Sequence, residues 1–189
     1  MKIDQVDLAF LHLGLSNNGK FDELDLAKSE LSYLGVGRTL DRLATLKEKN
    51  MIELDGASFR ITDSAMELLW NKTESLQNRI LRLLQIKSFG ETDIVKYLLE
   101  PAESIHEKIE MSRKEGFLIF TTIKKDDKVT MVCEITAEGN EFVQLQSLDT
   151  KTQLQRTLES ISKKVQDTKV RSEEHTSELQ SRFGISYAV

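Results

Sequence analysis

Arg38, Arg42, Thr45 and Lys49 follow one another at intervals of 4, 3 and 4 residues. At helical pitch they share one side of a helix, and Val36, Leu40, Leu43 and Ala44 fall on the opposite side. Long cationic and hydroxyl side chains on one stripe reach phosphate oxygens and base edges, while an apolar side anchors the helix to its domain. The pattern predicts a surface for a polyanion. It also describes an ordinary amphipathic helix with a solvated outer side, and Asp41 and Glu48 on the flank dilute its positive charge.

Bond-making chemistry finds no support. His12 stands among apolar neighbours, as a core or boundary histidine does. His106 has Glu103, Glu107 and Glu110 at helical spacing, a pattern that binds metal only with a second His or Cys to complete the set, and none is nearby. Cys133 sits in a strand-like run as a small apolar residue. Gly-rich phosphate loops, nucleophile elbows and paired-His motifs are missing, so neither enzyme activity nor a cofactor or metal is expected.

The stripe needs elements to hold it, and the sequence supplies them in order. Residues 4–13 read as a mostly buried helix ending near Gly14, and Leu24–Leu31 as a second helix. The third helix carries the stripe. Ile52–Leu54 and Ser58–Ile61 then alternate around Asp55-Gly56, a strong hairpin signal with Arg60 as its cation. Thr62 or Asp63 caps a fourth helix.

From Leu76 the order resumes: helices over 76–86, 91–99 and 102–115, a hairpin from Phe117–Phe120 to Val129–Ile135, and ITAEGNEFV in the role of ITDSAMELL. The predicted outward stripe of this copy is Glu103, Glu107, Glu110 and Lys114, which a phosphate backbone would repel. Lys124, Lys125 and Lys128 crowd its hairpin, as in a solvated charged turn or a wing that brushes a phosphate. Over 149–170, Leu154, Leu158, Ile161 and Val165 form a short heptad seam on a C-terminal helix, a candidate for pairing with a second copy.

The fold class expected is mainly α with small β-hairpin wings. The domains are 1–72, 73–148 and a helix over 149–170. Net charge is −5, with −3 in each of the first two segments and +2 over 149–170, so any polyanion face is local. A single cysteine fits a reducing cytoplasm, and no run reaches the length of a membrane span. Residues 171–189, RSEEHTSELQSRFGISYAV, resemble an in-frame translation of a sequencing-library adapter and are set aside as foreign to the fold.

With TLDRLATLKEKNMIEL and FRITDSAMELL laid out, residues 4–143 resemble the winged helix-turn-helix superfamily in tandem copies, most nearly small archaeal-type transcriptional regulators. The resemblance implies double-stranded DNA as partner. Arg38, Thr39, Arg42, Thr45 and Lys49 would act from the recognition helix in the major groove, and Arg60 from the wing. The acidic second domain and the C-terminal helix imply a homodimer or a protein partner. The same fold also serves assembly proteins that bind no DNA, and the acidic balance favours that alternative.

Overall fold

Asp4 opens the first helix. Its carboxylate accepts from the Val6 and Asp7 amides at 2.9 Å each, and the Asp7 carboxylate accepts from the Asp4 amide at 3.4 Å. This reciprocal cap satisfies N–H groups that a helix start leaves unpaired. The computed structural model describes residues 3–125 and 128–147. Helix α1 spans Gln5–Ser16 and buries Leu8, Phe10 and Leu11 completely. It continues two residues past Gly14, correcting the expected end. A Cβ on Gly14 would lie 2.6 Å from the Ile61 side chain, so the glycine allows a strand to approach closely.

The chain continues through β1 (Lys20–Phe21), α2 (Glu23–Lys28), a 3-10 turn (Glu30–Tyr33), α3 (Val36–Glu48), β2 (Ile52–Asp55) and β3 (Ser58–Ile61). The second helix is shorter than the Leu24–Leu31 spacing predicts, because the Ser29 hydroxyl accepts from the Leu31 amide at 3.0 Å and starts the tighter turn. The three strands are antiparallel in the order β1–β3–β2, with Lys20 opposite Arg60 and Ile52 opposite Ile61. Phe21 stacks on Phe59 with ring centres 5.5 Å apart. Three helices closed by a sheet with the first strand beside the last is the winged-helix arrangement.

Helix α4 (Asp63–Leu69) follows, capped by the Thr62 hydroxyl. Next come α5 (Leu76–Ile86), α6 (Glu91–Leu98), α7 (Ala102–Lys114), β4 (Leu118–Lys125) and β5 (Lys128–Ile135), and residues 137–147 are helical. Strands β4 and β5 pair antiparallel, and Phe89 bridges Cys133 in the place that β1 occupies earlier.

The turn out of the third helix is built the same way in both runs. Asn50 and Gly116 hold positive φ, at 55° and 79°. The Met51 amide donates to the Leu46 carbonyl and the Phe117 amide to the Ser112 carbonyl, both at 2.9 Å. The Thr62 hydroxyl donates to Asn50 O at 2.6 Å, and the Thr136 hydroxyl to Gly116 O at 2.7 Å. Each threonine then caps the helix that follows.

The chain divides into two compact units, Met1–Val143 and Gln144–Val189, and of the second only residues 144–147 are described. The C-terminal helix expected over 149–170, its heptad seam and the tail 171–189 lie outside the described residues. Both helix-and-hairpin runs therefore sit in the first unit and share one buried cluster. Polar groups pin the seam between them. The Trp70 indole donates to Tyr97 O at 2.8 Å. Buried Arg79 donates to Leu69 O at 2.6 Å and Leu98 O at 3.3 Å, and pairs with Glu100 at 2.8 Å. The His12 Nε2–H donates to Lys96 O at 2.9 Å.

Candidate nucleic-acid interface

Helix α3 starts at Gly35 with no side-chain cap and is fixed to the core mainly by Leu43, 6% exposed, and Leu46, fully buried. Burying each of these side chains stabilises the fold by about 2 kcal/mol. The helix therefore sits with the Leu43–Leu46 side inward. Val36, Leu40 and Ala44, expected to hold it to the domain, instead point to solvent, with Val36 78% and Leu40 60% exposed. Three ion pairs to the start of α1 hold the helix in that orientation.

Asp7 is 1% exposed. Its carboxylate lies 3.2 Å from Arg42 Nη1 and 3.3 Å from Lys49 Nζ, and Arg42 also reaches Asp4 at 2.7 Å. A carboxylate taken out of water is tolerated only with such partners. Burial works against the charged form of Asp4, but the Asp7 and Val6 amides and Arg42 hold its pKa below the usual value. Arg42 and Lys49 are thus half-buried struts between α3 and α1.

The other expected contact residues separate. The Thr45 hydroxyl donates to Asp41 O at 2.9 Å on a half-buried side of the helix, and Thr39 is also half-buried. Arg60 lies on β3 and pairs with Glu53 across the hairpin at 2.6 Å; Lys20 pairs with Asp55 at 2.6 Å. These two cations of the first sheet are therefore matched by acids of β2. Arg38 is exposed and keeps the position its spacing predicts.

The outward surface of α3 is Val36, Gly37, Leu40, Asp41, Ala44, Lys47 and Glu48. Arg38 is exposed beyond Asp41, and neither Arg38 nor Lys47 makes an ion pair among the described residues. At 1.5 Å and 100° per residue they stand about 13 Å apart along the axis and half a turn apart around it. Lys47 therefore lies in line with Val36 and Leu40, and Arg38 on the opposite side of the helix. Lys47 was missed because its place on the wheel lies among the apolar residues. The signal that would have placed it is the Asp4–Asp7 capping pattern, whose buried acid draws Arg42 and Lys49 inward.

In the second run, Glu103, Glu107 and Lys114 of α7 are exposed and Glu110 is half-buried and paired with Arg113 at 2.8 Å. The His106 ring meets Glu91 at 3.1 Å, but no group of three metal-ligating side chains occurs among the described residues. Burial, followed by Glu91 and Glu110, pushes the Cys133 thiol up to about 11, so it stays protonated and unreactive at neutral pH. No described helix is long and apolar enough to cross a membrane.

The fold and this surface define a winged-helix protein. No protein-family model and no curated protein matches the chain. Among solved structures it is similar to a point-mutant form of ZitR from Lactococcus lactis, at 13% identity and a TM-score of 0.38 over 79% of this chain and 99% of that one. It is also similar to a MarR-like transcriptional regulator from Thermotoga maritima, at 13% identity and a TM-score of 0.36 over 79% and 97%. The adhesin competence repressor of Streptococcus pyogenes gives 17% identity and a TM-score of 0.36 over 82% and 100%. Likeness this distant says nothing of what the chain does.

Proposed function

We propose that this chain is a non-enzymatic, cytoplasmic winged-helix regulator that engages double-stranded DNA through the outward side of α3. The observation that carries the reading is that Arg38 and Lys47 of α3 are exposed and make no ion pair among the described residues. Arg42 and Lys49 serve to set the angle of α3 through Asp7, and Arg60 to brace the hairpin. The repeated corner hydrogen bonds support tandem modules, the first for DNA and the acidic second for a protein partner or a second copy of the chain.

The test is a salt titration of the full chain on mixed-sequence duplexes beginning near about 50 mM salt, with and without Arg38→Ala/Lys47→Ala. Each phosphate contact contributes a slope of about 0.9 in log K against log salt. The double variant should lower the slope by about 2. Absence of duplex binding at low salt would end the DNA reading. Exposed Tyr33, Val36 and Leu40 would then favour the assembly alternative, with α3 as a protein-docking surface.

A further inference from the structure

The two sheets end differently at their edges. In the first, β1 is two residues long and β2 carries Glu53 and Asp55; shortness and charge are what keep an edge strand from pairing with another chain. Strand β4 has neither device over most of its length. From Leu118 to Ile123 it reads LIFTTI, without charge, Pro or Gly and rich in β-branched and aromatic types. Ile119 and Ile123 are 48% and 44% exposed on one side of it. The Cys133 amide donates to Phe89 O at 2.8 Å and so points away from β4, and Cys133 stands opposite Phe120. Paired residues of an antiparallel ladder that do not bond each other both turn outward. Phe120 and, two residues on, Thr122 therefore present N–H and C=O away from β5. No strand lies beside them among the described residues.

An edge of alternating donors and acceptors is complementary to itself run antiparallel, and the side chains decide where the two-fold axis falls. Centred on half-buried Phe120, it would drive the two bodies together beside fully buried Leu118. Centred on Lys124, it would set like charges face to face. Centred on exposed Thr122, it puts Ile123 of each copy beside Thr121 of the other and diagonal to Ile119. Lys125, at the end of the strand, then falls opposite Ile119 of the second copy, in one cross-strand row with that copy's exposed Glu134. Opposite charges share a row at both ends of the ribbon and like charges stay apart. We propose that the chain self-associates through β4, which pairs antiparallel with β4 of a second copy about a two-fold axis at Thr122 and joins two hairpins into one four-stranded sheet. This pairing does not depend on DNA. One added strand is small beside the roughly 1,200 Å² of a stable interface, so the dimer is a weak one.

The experiment is sedimentation of the full chain over a concentration series up to about 1 mM, where even weak pairing shows. It is repeated with Thr122→Lys, Thr122→Glu, their equimolar mixture and Thr122→Pro. Thr122 is exposed and its N–H makes no ladder bond to β5, so the variants keep the hairpin, which circular dichroism melts check. The wild-type chain should sediment as a concentration-dependent dimer. Lysine or glutamate alone sets like charges face to face at the axis and should weaken it by up to about five-fold. Mixing the two variants should restore the wild-type affinity or exceed it. Thr122→Pro, which removes the outward N–H, should abolish the dimer. A wild-type chain that stays monomeric throughout overturns the proposal. A dimer that every variant leaves unchanged also overturns it and places the contact elsewhere, residues 148–170 included. A mixture no tighter than either variant alone overturns the axis at Thr122.

Discussion

Arg42→Ala separates a strut from a DNA contact. In the folded chain Arg42 sits 2.7 Å from Asp4 and 3.2 Å from Asp7, and Asp7 is almost fully buried. Removing one partner of a fully buried ion pair costs about 3–5 kcal/mol. Two facts reduce that figure. The Arg42 side chain is 38% exposed, so water screens the pair, and Lys49 still faces Asp7 at 3.3 Å. About 2 kcal/mol remains, which for a unit of this size lowers Tm by roughly 4–8 °C. Circular dichroism melts give the stability, and fluorescence anisotropy on a labelled duplex across a salt series gives the binding. The folded fraction at assay temperature should hold the salt slope at its wild-type value, whereas Arg38→Ala/Lys47→Ala should keep Tm and lose about 2 in slope. An Arg42→Ala protein with unchanged Tm and a slope reduced by about 1 would refute the strut assignment and return Arg42 to the DNA.

Gly139→Ala should destabilise the second run, because a Cβ there would meet the Phe117 carbonyl oxygen at 2.2 Å and the Ile135 side chain at 2.9 Å. Overpacking of this kind costs about 1–3 kcal/mol, so a urea melt with an unchanged midpoint would contradict the close contact. His12 makes stability depend on pH. Burial, outweighing the Lys96 carbonyl that favours its charged form, lowers its pKa below the ordinary 6.5. Above 6.5 both folded and unfolded chains hold it neutral; as pH falls below that value the unfolded chain takes up a proton first and the fold loses stability. Thermal melts over this range should show that loss, and His12→Gln should flatten it; a wild-type slope retained in the variant would place the titration elsewhere.

Local chemistry made much of this protein legible in its sequence. Asp55-Gly56 marks a hairpin because Gly56 takes a positive φ of 65°. Thr62 caps a helix because its hydroxyl accepts from an amide three residues on. The order of helices and hairpins follows from such signals together with apolar periodicity, and that order was enough to suggest a winged helix. Gly14 reads locally as a stop but serves a long-range contact with Ile61, and so misplaced the end of α1. For α3, the sequence determined that a helix forms and that Arg38 lies on it. Which side faces out depended on tertiary structure. The apolar arc from Leu46 through Leu43 to Val36, Leu40 and Ala44 is broad enough to seat the helix in two ways. The choice falls to Asp7, which lies 35 residues before Arg42 and 42 before Lys49. A buried carboxylate must be neutralised, and that requirement turns the cations inward and leaves Val36 and Leu40 in solvent.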